Sequence, residues 1–399
     1  MDKIDELLTR GVDKIYPSKE ELEKILKSEK KLKLYQGFDP TGTQMHIGHM
    51  MGLRKLKQFQ DLGHQVIFLI GDATGQAGDP SGKTSSRETF LSQEELLKNA
   101  SDYVVQAGKI LRFEGENKVE IQHNSEWFKK LDYSQLLILL GQFSVQQLLE
   151  RDLFQERLKN NEPINLRAFI YPILQAYDSV AMKVDLELGG TDQTFNMLMG
   201  RQLAKQWNGG KEKLVMTTPL LTDLQGVKIG KTEGNVIALT DKPEDLYGKI
   251  MALSDDIIVK GLEYLTDVPM DQVKEIERKL NAGENPVESK KLLAFEVTKQ
   301  LNSNEDAEKA QDHFEKTVQT KEVIPFVPGL VSQSSLASLS TVLVEELRAI
   351  TSNSEYKRLV DQRGIRINGQ VVTNPSVGTA SGDLVSVGKR DNFKIEIKK

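Results

Sequence analysis

Apolar and polar positions along the chain fall into short alternating runs separated by helical periodicities. After an opening segment rich in Lys and Glu, "KLKLYQGFDP" alternates apolar and polar residues and stops at Gly and Pro, which predicts a strand ending in a loop. "HIGHMMGLRKLKQFQDLG" then carries apolar residues at helical spacing and closes on Gly63, and "HQVIFLIGD" is a short run of the buried-strand type. A strand, loop, helix and strand of this kind predicts a parallel sheet covered by helices. Helical patterns around 94–111 and 134–159, a strand at "KVDLELGG" and another at "KLVMTTPLL" extend the α/β region to about residue 222.

Beyond it the pattern changes twice. "TDLQGVKIGKTEGN" holds Gly226, Gly230 and Gly234 and predicts a mobile loop. Residues 243–318 read as successive amphipathic helices without a strand candidate. "TKEVIPFVPGLVSQSS" has the Pro, Gly and Ser content of a linker. Two helical stretches, "LSTVLVEELRAI" and "SEYKRLVDQRG", then lead into short strands at "IRING", "DLVSVGK" and "FKIEI". The expected division is an α/β domain with a helical insertion over 1–240, a helical domain over 241–322, a linker over 323–340 and a small α+β domain over 341–399.

Composition narrows the class. The 399 residues are 38% apolar and 28% charged, as in ordinary folded proteins, and hold no cysteine, which excludes disulfides, zinc–thiolate sites and cysteine nucleophiles. The longest apolar runs, such as "LLILLG", fall far short of the roughly 20 residues that span a bilayer. The charged start "MDKIDELLTRG" is unlike a secretory signal, so a cytoplasmic protein without a membrane partner is expected. The net charge is −5, but residues 341–399 carry ten Lys+Arg against seven Asp+Glu, a net of +3 that leaves −8 for the rest. A mild basic excess therefore sits at the C-terminal end, suited either to a polyanion or to plain solvation.

The candidate chemistry begins at "GFDPTGTQMHIGHMMG". His46 and His49 stand one turn apart at the expected start of a helix, with Gly48 between them. A helix N-terminus beside the carboxyl ends of parallel strands offers unpaired N–H groups to an anion such as phosphate. A metal site would need further ligands at compatible spacing, and none is nearby; a structural pair of histidines is the other reading. In "YPILQAYD", Tyr171, Gln175 and Asp178 recur at i, i+4 and i+7, a polar stripe in an apolar helix that suits the lining of a pocket for an amphipathic ligand.

These motifs carry a resemblance. "HIGH" is similar to the signature tetrapeptide of class I aminoacyl-tRNA synthetases. "KIGKT" keeps both lysines, Lys228 and Lys231, of the family's second signature, although it departs from it elsewhere. With "YQGFDPTG", "GDPSGK", "YPILQAYD" and "GGTDQ" in family order, nearly the whole chain resembles bacterial-type tyrosyl-tRNA synthetases. The resemblance implies a Rossmann-like parallel-sheet catalytic domain, a small all-α anticodon-binding domain and a small C-terminal α+β RNA-binding domain. It implies L-tyrosine, ATP and tRNA(Tyr) as substrates, a homodimer, magnesium arriving with ATP, no tightly bound cofactor and no resident metal.

By the same resemblance Tyr35 and Asp178 meet the phenolic hydroxyl, and Tyr171, Gln175 and Asp79 hold the α-ammonium group. Gly37, Asp39, Thr41, Gly48, Gly190 and Asp192 fall where the family contacts ATP or the adenylate, and Gln193 where it meets the tyrosine carboxylate. His46, His49, Lys228, Lys231, Lys83 and Arg87 serve the phosphates, and Asn124 matches a position near the active site. "TFNM" after "GGTDQ", where many bacterial relatives carry Trp and Gly, points to a different subfamily. "YKRLVDQRGIRINGQVV" resembles a small RNA-binding module whose helix and strand present cations to phosphates, here Arg358, Arg363 and Arg366, with Lys389, Arg390 and Lys394 as weaker candidates. The residues leave open a tryptophanyl enzyme or a nucleotidylyltransferase, and a non-catalytic RNA-binding relative.

Overall fold

The computed structural model describes residues 2–79, 91–223, 226, 228–229, 236–319, 327–332, 334, 336, 338–388 and 391–397. They form two compact units, Met1–Gln311 and Asp312–Lys399. The first is built on a six-stranded sheet. Its strands are β1 (Lys14–Tyr16), β2 (Lys33–Phe38), β3 (Gln65–Ile70), β4 (Glu120–His123), β5 (Leu186–Gly190) and β6 (Leu214–Thr218), in the order β1-β6-β5-β2-β3-β4. All neighbours run parallel except β1, which pairs antiparallel with β6 at the edge. The parallel α/β architecture expected from the alternating pattern is present, and its central strands are buried because helices cover both faces.

Register decides which side chains meet. Tyr35 lies beside Ile67 on β3 and beside Glu187 on β5, so these three side chains share one face of the sheet. Helix α1 (Ile47–Asp61) buries Ile47, Met50, Leu53, Leu56 and Phe59, the i, i+3, i+4 stripe that its sequence predicted, and Gly63 follows its end at φ +77°. Helix α2 (Leu166–Met182) covers the Tyr35 face and packs against α3 (Thr194–Trp207) through Ile173, Ala176, Met199 and Leu203.

Two expected elements differ in detail. The long helical pattern over 134–159 is three short helices, Tyr133–Leu140, Val145–Leu149 and Asp152–Lys159. Ser144 restarts the helix after Gly141 by a capping box with Gln147, a local signal stronger than the apolar periodicity around it. Within the stretch read as a linker over 323–340, Val327–Val331 is a strand that pairs parallel with Asp391–Ile397. Pro328 is tolerated there because the strand lies at a sheet edge.

Five helices follow the α/β region in the first unit: Pro243–Met251, Ile257–Leu265, Met270–Asn281, Val287–Leu301 and Asn304–Phe314. In the second unit a five-stranded sheet and the helix Asn353–Asp361 enclose Val342, Tyr356, Val360, Ile365, Val385 and Ile395. Among the described residues no helix is long and apolar enough to cross a membrane.

Two arginines, Arg10 near the N-terminus and Arg54 on α1, grip the helical segment. Arg10 donates to the carbonyls of Leu262, Glu263 and Thr266, and Arg54 on α1 donates to Thr266 O and Asp267 Oδ1. They satisfy carbonyls that the end of helix Ile257–Leu265 leaves without partners. Beside them Lys55 is buried, its Nζ 2.8 Å from both Leu7 O and Gln58 Oε1. Burial, reinforced by Arg54 and Arg10, pulls its ammonium down to about 7.

That shift has a sign. Between about pH 7 and pH 10 the unfolded chain holds a proton on this lysine that the folded chain lacks, so the Lys55 contribution to stability improves as pH rises through that window. The unfolding free energy from urea titration should therefore climb for the wild type relative to Lys55→Met, by on the order of 1–3 kcal/mol between about pH 6 and pH 10. A difference between the two proteins that does not change with pH would contradict this assignment.

Candidate active site

The carboxyl ends of the parallel strands gather the chemistry. Asp39 follows β2, Asp72 and Thr74 follow β3, Asn124 follows β4, Asp192 and Gln193 follow β5, and the glycine-rich loop follows β6. Ligands in such sheets bind at this edge, because side chains and helix N-termini converge there.

His46 is the N-cap of α1. Its Nδ1 accepts from Gly48 N–H at 3.1 Å, while Nδ1 of His49 accepts from His46 N–H at 3.1 Å, so the pair forms a reciprocal capping box. The rings are tilted 38° to each other, with centroids 4.0 Å apart. An Nδ1 that accepts from a backbone N–H leaves the ring proton of a neutral imidazole on Nε2, so each ring has a donor at its other nitrogen. Gly48 makes this arrangement possible, since a Cβ there would stand 2.9 Å from Cε1 and Nδ1 of His46. The "HIGH" histidines are thus structural as well as suited to anion chemistry.

The loop before α1 is held from below, where Gln106 accepts from Met45 N–H and donates to Thr43 O, and Asn99 donates to Pro40 O. Thr41 is exposed on this loop, and Gly37 is exposed in the middle of β2.

The "KIGKT" loop has both feet beside α1. Ile47 N–H donates to Ile237 O and Leu239 N–H to Met45 O, and Ile229 N–H donates to Leu221 O. Asp241 accepts from Ala238 N–H and from Lys249, fixing the far foot. Lys228 Nζ lies 2.8 Å from Asp192 Oδ2, so two residues expected to serve ATP pair with each other. Gly190 precedes Asp192 at the end of β5. Lys231, Lys83 and Arg87 lie outside the described residues.

Two chains of hydrogen bonds run through the remaining site residues. In the first, Tyr171 OH donates to Asp39 Oδ2 at 2.8 Å and Thr74 Oγ1 to Asp39 Oδ1 at 2.7 Å. Asn124 Nδ2 reaches Thr74 Oγ1 and Asp178 Oδ2, and Trp127 Nε1 donates to Asp178 Oδ1 at 2.8 Å. Burial pushes the Asp178 carboxyl well above the usual range, against the opposing pull of Trp127 and Asn124. Asp39 has room because position 71 is glycine; a Cβ there would lie 1.9 Å from Asp39 Oδ1.

In the second chain, Asp79 Oδ2 accepts from Gln193 Nε2, and Asn196 Nδ2 donates to both Gln193 Oε1 and Gln175 Oε1. Gln175 Nε2 donates to Glu187 Oε1 at 3.0 Å. Glu187 forms a buried ion pair with Lys213, and Ser179 Oγ connects the pair to Tyr35 OH at 3.0 Å. Burial raises the Tyr35 and Tyr171 hydroxyls well above their ordinary value. Tyr35, Asp178 and Tyr171 are buried and Gln175 half-buried, so the i, i+4, i+7 stripe of α2 faces inward as a polar lining.

Sequence reading passed over six residues in these chains: Thr74, Trp127, Ser179, Glu187, Asn196 and Lys213. Glu187 is a lone acid at an inward position of "DLELGG", which signals a buried charge in need of a partner. Nothing local identifies Lys213 as that partner. Among the described residues, no group of three or more His, Asp or Glu is placed to hold a metal ion. In the second unit Arg358, Arg363 and Arg366 are all exposed, as is Lys394, which lies 3.6 Å from Glu396; Lys389 and Arg390 lie outside the described residues.

Comparison with known proteins agrees with this geometry. Residues 27–319 match the family model described as tRNA synthetases class I (W and Y). The chain is 41% identical over 382 residues to the tyrosine–tRNA ligase of Thermotoga maritima, covering 95% of this chain and 94% of that one. It is 40% identical over 392 residues to the tyrosine–tRNA ligase of Geobacter sulfurreducens, covering 96% of each. Among solved structures, a C-terminally truncated mitochondrial tyrosyl-tRNA synthetase of Coccidioides posadasii superposes with a TM-score of 0.61 at 25% identity, over 78% of this chain and 91% of that one. A tyrosyl-tRNA synthetase of Archaeoglobus fulgidus complexed with L-tyrosine, 22% identical with a TM-score of 0.59, shares the fold over 78% of this chain and 100% of that one. With the paired signatures at α1 and after β6 and near-full-length identity of about 40% to such ligases, the chain belongs to the class I tRNA synthetases of the W and Y group, within the tyrosine–tRNA ligase family.

Proposed function

We propose that the protein is a tyrosine–tRNA ligase: it activates L-tyrosine with ATP and transfers the tyrosyl group to the 3′-terminal adenosine of tRNA(Tyr). The observation that carries this reading is the convergence of the His46–His49 cap, both feet of the Lys228 loop and two buried hydrogen-bond chains on one sheet edge. Phosphate chemistry and a polar amino-acid pocket then lie side by side.

In this reading no side chain acts as nucleophile. The tyrosine carboxylate oxygen attacks the α-phosphorus of ATP, a new P–O bond forms, the α–β anhydride bond breaks, and the electron pair leaves with pyrophosphate. Orientation and stabilisation of the departing charge supply the catalysis. Nε2–H of His46 and His49, the N-terminus of α1, Lys228 and Lys231 serve the phosphates, with Thr41, Lys83 and Arg87 at the periphery. Lys228 would leave Asp192 for the phosphates, freeing that carboxylate for the ribose, while Gly37, Gly48 and Gly190 admit the nucleotide closely. Magnesium arrives with ATP, held chiefly by phosphate oxygens and water.

The amino-acid end follows from burial. Tyr35 and Asp178 meet the phenol, Asp79, Tyr171 and Gln175 the ammonium group, and Gln193 the carboxylate. Phenylalanine would leave buried polar groups without partners, a known basis of selectivity in these enzymes. Residues 243–314 contact the anticodon in this reading. Arg358, Arg363 and Arg366 of the second unit meet tRNA phosphates, which makes binding salt-sensitive. A second copy of the chain covers the exposed apolar side chains Tyr133, Leu137, Ile138, Val145 and Leu166, and the protein works as a homodimer in the cytoplasm.

The primary test is tyrosine-dependent exchange of pyrophosphate into ATP; activation of tryptophan instead, or of no amino acid, would overturn the reading. Lys231→Ala should slow adenylate formation in a single turnover by about a hundredfold while tyrosine affinity changes little, and an unchanged rate would remove the loop from the mechanism. Truncation should be made at residue 320, because a cut at 341 would leave strand Val327–Val331 without its partner. The shortened protein should keep pyrophosphate exchange and lose most tRNA charging, and charging undiminished at both low and high salt would contradict the RNA role of the tail. Leu137→Asp with Ile138→Asp should shift the sedimenting species from dimer to monomer; a species unmoved by both charges would mean that the dimer lies elsewhere.

A further inference from the structure

Helix Ile257–Leu265 touches both halves of the phosphate side of the site. At its carbonyl end Thr266 O accepts from Arg10 and from Arg54 of α1. From its middle the half-buried Lys260 donates from Nζ to Thr222 O at 3.2 Å. Thr222 follows β6 and forms an isolated antiparallel bridge with Lys228. The hydrogen bond of that bridge runs from Ile229 N–H to Leu221 O at 2.8 Å, one residue to either side, so Thr222 and Lys228 are a non-hydrogen-bonded pair. The Thr222 carbonyl is therefore turned away from Lys228, and Lys260 meets it there.

This bridge brings Lys228 and Ile229 to the start of α1. Ile229 O lies 3.6 Å from the point that a Cβ on Gly48 would occupy, and Lys228 Nζ reaches Asp192 Oδ2 beyond the end of β5 at 2.8 Å. A single two-stranded ribbon of this length is at best marginally stable in water, so its place depends on what holds it from outside. Lys260 does so from a helix that buries Ile257, Ile258, Leu262 and Leu265 and is gripped by Arg54 at its other end. Lys249, on helix Pro243–Met251, takes Val236 O at 2.8 Å in the same way on the far foot.

We propose that Lys260 is a positioning residue for the phosphate chemistry: by holding Thr222 O it fixes the bridge that sets Lys228 beside the N-terminus of α1. The inference rests on the reading above that Lys228 serves the phosphates, and it adds what places that cation. Helix Ile257–Leu265 is then a strut, with the helix of the histidines tied to it through Arg54 and Lys228 tied to it through Lys260. The residue type suits the task, because an ammonium on a long stem gives a carbonyl a charge-assisted hydrogen bond, whereas methionine fills much the same space and donates nothing.

The experiment is a double-mutant cycle on the full-length enzyme. Single-turnover formation of tyrosyl-adenylate at saturating tyrosine and ATP is measured for wild type, Lys260→Met, Lys228→Met and the double variant, with Lys260→Arg as the conservative exchange. Rates are expressed per tyrosine-binding site, so a partly unfolded preparation does not imitate a slow one. Lys260→Met should lower the rate about tenfold while tyrosine affinity changes little, and Lys260→Arg should restore most of the loss. In the Lys228→Met background Lys260→Met should cost little more, because a residue that acts through Lys228 then has nothing left to place. Should Lys260→Met yield no tyrosine-binding protein, Lys260→Gln, with a shorter and uncharged side chain, takes its place in the cycle.

If Lys228→Met is slow while Lys260→Met keeps the wild-type rate, or if Lys260→Met slows both backgrounds by the same factor, Lys260 does not act through Lys228; the positioning role is overturned and the phosphate reading of Lys228 stands. If Lys228→Met itself keeps the wild-type rate, the phosphate reading of Lys228 fails, and the role of Lys260 falls with it.

Discussion

Glu187 is an acid in the middle of a parallel sheet, at a position that helices shut off from water, and the site depends on how that charge is accommodated. A carboxylate there is tolerable only if every lone pair has a donor, because burial alone costs several kcal/mol per ion. Lys213 supplies the countercharge from the entry to the neighbouring strand, and Gln175 and Ser179 on α2 supply the remaining hydrogen bonds. From this one pair the order spreads outward: through Gln175 to Asn196, Gln193 and Asp79, and through Ser179 to Tyr35. The polar lining on this face of the sheet is thus a single network, in which each member's position bears on the next.

The phosphate side is organised on a different principle. Local geometry does most of it: two histidines cap their own helix through Nδ1, Gly48 makes room for one ring, and the positive end of the α1 dipole lies at the same edge. Long-range backbone bonds then bring the loop after β6 to that helix, since Met45 and Ile47 pair with Leu239 and Ile237. The far foot of that loop is thereby fixed beside the helix that carries the histidines. In the present structure Lys228 rests on Asp192, so a basic loop has an acidic partner to hold it when no phosphate competes.

The helical segment is joined to this arrangement at the carbonyl end of helix Ile257–Leu265, where Arg10 and Arg54 fill positions that water or a glycine cap would otherwise take. Because Arg54 belongs to α1, the helix that carries the histidines is also the helix that grips the helical segment. The C-terminal unit has its own apolar core and its own sheet, and within it the exposed Arg358 and Arg366 make local contacts with Glu355 and with Gly369 O.

Hydrophobic periodicity determined the four central strands of the parallel sheet and the helices beside them, because burial of one face is written into spacing along a single element, whereas the short edge strands Lys14–Tyr16 and Glu120–His123 left no such signal. The two signatures and the stripe Tyr171, Gln175 and Asp178 were likewise legible, since each lies within one loop or one helical face. Tertiary structure alone decided the partners. Tyr35 meets Ser179 across 144 positions, Lys213 meets Ser179 across 34 and Glu187 across 26, and Val327–Val331 becomes a strand only because Asp391–Ile397 lies beside it. Such pairings follow from how the closed sheet sets neighbouring strands in register, and no local pattern encodes which distant residue will answer a buried charge. Local spacing could therefore suggest an anion beside one helix start and an amphipathic ligand beside one helix face; which distant side chains complete those surroundings is a property of the folded network.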